Sequence, residues 1–406
     1  MTIEAPVVDH AWKLQAWLQD VGLQFDPFVH LESASDPHLL QYTVVHEGLA
    51  RVWEPGDALI FAPVGGGKTA LRLYATWNSL RSLYAFFAIP YVLPKHWDAF
   101  PPADFEAHGR ALTYATTNAI LTILLTFPQR FLTLPDTMQK TLSLLLWRTQ
   151  PELGWILTQW KEGPWEATLA SLLPPALRRG FLPPSQKRLH HVIARIEAHR
   201  VSPDASIAWR SLHALFEILH DHFGYRAIHI LVDGVDAYSE TNRREGEREG
   251  ARWLARWLTG FREFFRAPIY VKVFAPEMIR PDFRMLEMPW PEAHLQWTSG
   301  MLVEMLRRRL YVASQGRFDS LDALAEIELE DLDRRLVHMA SPSTPREVLW
   351  LAHRLFIEHS RSHKPPDLLE EKDVRHLAEC YRHKETRNDS PGTAAFPDRE
   401  AFQWGS

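Results

Sequence analysis

The sequence predicts an α/β fold: a mainly parallel sheet with helices on both faces, enlarged by a helical insert and a helical C-terminal third. Three observations carry that expectation. Short apolar runs at 58–62, 83–93, 227–232 and 269–274 alternate with stretches of helical periodicity, the pattern that builds parallel sheets. The chain has 406 residues, enough for a sizeable core, and its 46% hydrophobic and 23% charged composition excludes a disordered or fibrous protein. Residues 95–225 carry no strand pattern but many prolines (Pro128, Pro135, Pro151, Pro164, Pro174, Pro175, Pro183, Pro184), which mark boundaries between helices.

Taken in order, residues 1–50 read as an N-terminal helical segment with a loop at Phe25-Asp26-Pro27-Phe28. Gly56 to Ala62 is a turn followed by a buried strand. Gly65-Gly66-Gly67 ends it, and from Lys68 to Arg81 the residues Leu71, Tyr74, Ala75, Asn78 and Leu80 fall at helical spacing. Leu83 to Leu93 is the second strand candidate. Strand signals return at Ala227–Val232 and Ile269–Phe274, and weakly at Phe283–Met288. The expected organisation is therefore a sheet core at 51–94 and 225–290, a helical insert at 95–224, a helical lid at 291–385 and a polar tail at 386–406. No internal repeat or low-complexity block is present.

Composition narrows the function classes. A net charge of -5 gives no global basic field to recruit nucleic acid or an anionic membrane. The single cysteine, Cys380, excludes an intramolecular disulfide, a Cys-x-x-Cys zinc site and a Cys-ligated iron–sulfur cluster, which fits a reducing, cytoplasmic location. The N-terminus lacks the basic start and apolar core of a signal peptide. The longest uncharged stretch, Ala111 to Gln129, is interrupted by Thr, Asn and Pro128 and reads as a buried helix rather than a membrane span.

The most informative segment is Ala62-Pro63-Val64-Gly65-Gly66-Gly67-Lys68-Thr69, a phosphate-loop (P-loop) pattern with Ala in place of its first Gly. Glycines let the backbone curl so that N–H groups point at phosphate oxygens, and the following helix adds its positive N-terminal end. Pro63, Val64, Gly65, Gly66, Gly67, Lys68, Thr69 and Ala70 are thus the expected nucleotide-binding residues. Lys68 supplies a charge to the β- and γ-phosphates and Thr69 a hydroxyl to Mg²⁺. The second signal is Ile228-His229-Ile230-Leu231-Val232-Asp233-Gly234-Val235-Asp236, an apolar run ending in two acids. A carboxylate at the carboxyl end of a parallel strand can hold Mg²⁺, which makes Asp233 the metal residue beside Thr69; Asp236, one short turn on, is placed to position the attacking water.

Together, APVGGGKT and HILVDGVDAY resemble the signal-transduction ATPases with numerous domains (the STAND class, close to AAA+), whose core belongs to the ASCE group of P-loop NTPases. Asp233, Gly234, Val235 and Asp236 are similar to the Asp-Gly-x-Asp strand end of its NACHT members, with Ala237 where a further acid is usual and Gly234 where AAA+ proteins carry Glu. The resemblance spans roughly residues 25–94 and 225–380, and the departures imply slow turnover or a nucleotide-held switch. It further implies Phe28 beside the adenine, a γ-phosphate sensor at the end of the fourth strand (Lys272 or Glu277), and Arg346 of Pro345-Arg346-Glu347 reading the γ-phosphate from the lid. One of Arg307, Arg308 and Arg309 is a candidate arginine finger, against a solvated basic helix face.

The reading is an ATP-binding, Mg²⁺-dependent ATPase acting as a switch or assembly module, with output through homo-oligomerisation or partner effector proteins and no membrane contact. Two alternatives stand beside it: a DNA-associated AAA+ ATPase of transposition or replication type, and an ATP-stabilised scaffold without significant turnover. The histidines at 190, 191, 199, 213, 220 and 222 lack carboxylate companions at metal-site spacing and read as ordinary core or surface residues. The tryptophans of the insert (Trp147, Trp155, Trp160, Trp165) fit either core packing or an interface.

Overall fold

The computed structural model describes residues 8–46, 48–81, 85–93, 105–204, 208–235, 255, 257–265, 268–281, 290–362 and 367–388. Five parallel strands form one sheet: β1 (Ala58–Ala62), β2 (Phe87–Val92), β3 (Ile228–Asp233), β4 (Ile269–Pro276) and β5 (Glu292–His294), in the order β2-β3-β4-β1-β5. The chain is α/β, as expected. Every residue of β1 and β3 is buried, which is why both read as unbroken apolar runs rather than alternating ones. The weak strand signal at 283–288 lies outside the described residues. The fifth strand is instead Glu292–His294, paired with Leu59–Phe61 and too short and polar to stand out.

The chain divides into two compact units. One comprises residues 30–298 together with Thr344–Arg346. It contains the sheet, and the helix Lys68–Arg81 follows β1 and buries Leu71 and Ala75 among Ile60, Ala62, Ala88, Leu231 and Phe274. The insert belongs to the same unit and consists of helices and their connecting loops among its described residues, its longest helix being Phe105–Thr126. Trp147 and Trp160 are core residues there, Trp147 donating from Nε1 to the Ile196 carbonyl, whereas Trp155 is exposed. A cavity of about 740 Å³ opens between the Lys68–Arg81 helix, β2 and the insert, with Arg72, Thr76, Pro90, Tyr114, Asn118 and Arg148 on its walls. No described helix is long and apolar enough to cross a membrane.

The other unit comprises residues 1–29, 299–343 and 347–406. The N-terminal segment therefore divides after Val29, and its first part packs with C-terminal helices. Trp17 lies edge-on against Phe356 and His359, and the ring centroid of Phe28 is 5.3 Å from that of Phe356. The buried His359 Nδ1 meets Asp373 Oδ2 at 2.8 Å, which pairs Pro345–Ser362 with Glu371–Asn388.

Candidate functional site

The carboxyl ends of β1 and β3 carry the two segments singled out from sequence. Residues 63–67 leave β1 and turn directly into the helix that starts at Lys68. Gly65 and Gly67 take φ of +77° and +89°, values that side chains with a Cβ rarely adopt. The surroundings add a clash at Gly65 but only ordinary contact at Gly67. A Cβ on Gly65 would lie 2.8 Å from the Arg346 Cβ, and one on Gly67 3.4 Å from the Trp297 ring.

The hydrogen bonds of this loop are one-sided. Four of its carbonyls are taken: Ala62 and Pro63 by Lys68 Nζ at 3.2 and 3.1 Å, Pro63 also by the Gly66 N–H at 2.9 Å, Gly65 by the Arg346 N–H at 3.3 Å, and Gly66 by Trp297 Nε1 at 2.9 Å. The N–H groups of Gly65, Gly67, Thr69 and Ala70 meet no protein acceptor among the described residues. A peptide's N–H and C=O point in opposite directions, so Trp297, in holding the Gly66 carbonyl, turns the Gly67 N–H to the other side of the loop. Unpaired N–H donors at a helix start, with the Lys68 ammonium beside them, form a concavity for an anion.

Asp233 ends β3 and is buried. Its Oδ2 accepts from Thr69 Oγ1 at 2.9 Å and from Arg72 Nε at 2.8 Å, and its Oδ1 accepts from the Gly234 N–H at 2.8 Å. The hydroxyl and the carboxylate, 164 positions apart in sequence, thus converge as hard oxygen donors of the kind Mg²⁺ prefers. No group of three His, Cys, Asp or Glu able to hold a metal occurs among the described residues, so a cation here would draw its remaining ligands from water and from a bound anion.

The other sequence candidates fall as follows. Asp236 lies outside the described residues. Phe28 is buried on Phe356 in the second unit, and its N–H donates to Asp26 Oδ1. Arg346 is half-buried against Gly65, and its guanidinium has no acid or carbonyl partner among the described residues. Lys272 sits at the opposite end of the sheet from the loop, in register with Ala58, and its Nζ donates to the Arg51 and Glu54 carbonyls. Burial pushes its ammonium down to about 8, opposed by Asp57 and Glu54. Glu277 directly follows Pro276, which pairs with Ala62 at the loop end, and its carboxylate engages Arg280 and His294. Of the three consecutive arginines, Arg307 pairs with Asp333 and Arg308 with Glu304, while Arg309 is buried on the Pro27 carbonyl rather than lying on a solvated face.

Two site residues carried no local signal in the sequence. Arg72 looks like one more polar position on a helix, and Trp297 follows a strand too short to recognise. No family model matches the chain, and no curated protein matches it.

Proposed function

We propose that the chain is a P-loop NTPase that binds ATP with Mg²⁺ and acts as a nucleotide-controlled switch or assembly module of the STAND/AAA+ type. The observation that carries this reading is the one-sided loop: the carbonyls of Ala62, Pro63, Gly65 and Gly66 held by protein, and the N–H groups of Gly65, Gly67, Thr69 and Ala70, with no acceptor among the described residues, left for an anion beside Lys68. A polyphosphate meets that demand, and Thr69 with Asp233 would hold its Mg²⁺. β4 standing between β1 and β3 also supports the reading, because it brings a third strand end, at Pro276–Glu277, between the loop and the acid. Arg346, against Gly65 and with no acid or carbonyl partner for its guanidinium among the described residues, is the residue of this unit suited to the γ-phosphate. When bound, Mg²⁺ would neutralise charge on the phosphates. Lys68 and the loop N–H groups orient them, and Trp297 keeps the loop in its anion-facing form.

Size-exclusion chromatography with light scattering tests the switch, comparing nucleotide-free protein, ADP and a non-hydrolysable ATP analogue with Mg²⁺. Assembly with the analogue alone is the expected result. An unchanged mass alongside measurable nucleotide binding would overturn the assembly reading and leave nucleotide binding intact. Trp297→Phe, which keeps the ring and loses the N–H, is expected to weaken analogue binding about 3- to 10-fold in titration calorimetry, the value of one hydrogen bond. Equal affinities would remove Trp297 from the site.

A further inference from the structure

We propose that Arg72 is a resident cation at the Asp233 site, standing in for Mg²⁺ when the metal is absent and raising the Mg²⁺ concentration the site requires. The inference rests on the reading of Thr69 and Asp233 as the metal-holding pair. Arg72 Nε lies 2.8 Å from Asp233 Oδ2, and both side chains are less than 10% exposed. The oxygen it occupies is the one that also accepts from Thr69 Oγ1, the point on which a shared cation would bear.

A buried carboxylate without a positive partner is costly, and here the partner comes from the chain itself. A divalent ion at the same oxygen must compete with a guanidinium for its lone pairs and sit close to a fixed positive charge. Mg²⁺ alone therefore gains little at this site. It enters with a polyphosphate, whose negative charge outweighs the arginine. Arg72 also has room to withdraw, because its side chain forms part of the wall of the 740 Å³ cavity. That cavity lets the guanidinium leave Asp233 without unpacking the helix, whose Leu71 and Ala75 stay in the core.

The test is thermal unfolding with MgCl₂ as the only added ligand, against NaCl of equal ionic strength. Wild-type protein is expected to show no Mg²⁺-specific shift. Arg72→Gln is expected to melt roughly 10 °C lower in EDTA, because Asp233 loses its partner, and to recover with Mg²⁺. The concentration for half-recovery should be at least about tenfold below any at which wild type responds, since the competing charge is gone. Arg72→Gln combined with Asp233→Asn should lose the Mg²⁺ response. Arg72→Met, which removes the charge and keeps an unbranched side chain, supplies the same comparison if the glutamine variant does not fold. If Arg72→Gln and Arg72→Met are destabilised and neither responds to Mg²⁺, while Mg²⁺ with the ATP analogue stabilises them, Arg72 is structural and the inference falls alone. If Mg²⁺ fails to strengthen analogue binding even in wild type, the metal assignment of Thr69 and Asp233 falls with it.

Discussion

Lys68→Ala is expected to weaken binding of Mg·ATP by on the order of 100-fold or more while leaving the fold in place. The magnitude follows from what the ammonium replaces. Hydrogen bonds to charged groups are each worth about 1.5–3 kcal/mol, and a lysine in this position would donate to two phosphates. Nζ rests on the Ala62 and Pro63 carbonyls, so the cation lies beside the loop's N–H groups and can exchange carbonyl for phosphate oxygens. Removing it costs the loop two weak carbonyl contacts, yet Gly66 still donates to Pro63, Arg346 to Gly65 and Trp297 to Gly66. The backbone form should therefore persist, and the far-ultraviolet circular dichroism should match wild type. Calorimetric titration of both proteins with the ATP analogue and Mg²⁺ is the measurement. Equal affinities would show that the 62–69 loop does not hold phosphate, whatever its shape.

How much of this was legible in the sequence depends on the distance over which each feature is encoded. The strand–loop–helix unit from Ala58 to Arg81 was readable because five buried positions, three glycines and a helical repeat are all local signals. The acid-ended strand was readable for the same reason, its run Ile228 to Val232 being buried on both faces. β5 escaped because Glu-Ala-His has no apolar pattern, and only pairing with Leu59–Phe61 makes it a strand. Long-range partners were invisible for a different reason. Arg72 and Asp233 are 161 positions apart, Trp297 and Gly66 are 231 apart, and nothing in either neighbourhood encodes the encounter. The Lys272 and Glu277 alternatives stayed open until register fixed which end of β4 meets the loop. Arg309 reads as part of a basic surface, and its bond to the Pro27 carbonyl, far away in sequence, accounts for its burial.

His229, in the middle of this sheet, leads to the second large effect, a loss of stability in mild acid. The residue is fully buried on β3, its ring stacked on Phe86 at 4.7 Å and edge-on to Tyr270 at 5.8 Å. Loss of hydration pushes its ionisation from the ordinary 6.5 down to about 3; Lys272, on the neighbouring strand, adds to this, and the backbone of Val52 opposes it. Between those two values the unfolded chain binds a proton at His229 and the folded chain does not, so this contribution to stability is complete above pH 6.5 and drains away as pH falls toward 3. At pH 4.5 the loss from this residue alone is about 2–3 kcal/mol relative to pH 7. His229→Phe keeps an aromatic ring between Phe86 and Tyr270 and removes the proton-binding group. Urea unfolding at pH 7 and pH 4.5 should then show the variant losing about 2–3 kcal/mol less than wild type over that interval. Carboxylates titrate in both proteins alike and cancel in the comparison. Parallel pH profiles would mean that the folded chain protonates His229 as readily as the unfolded one. The sheet would then have to open locally beneath β3, and the burial that makes 228–233 read as a core strand would not hold in solution.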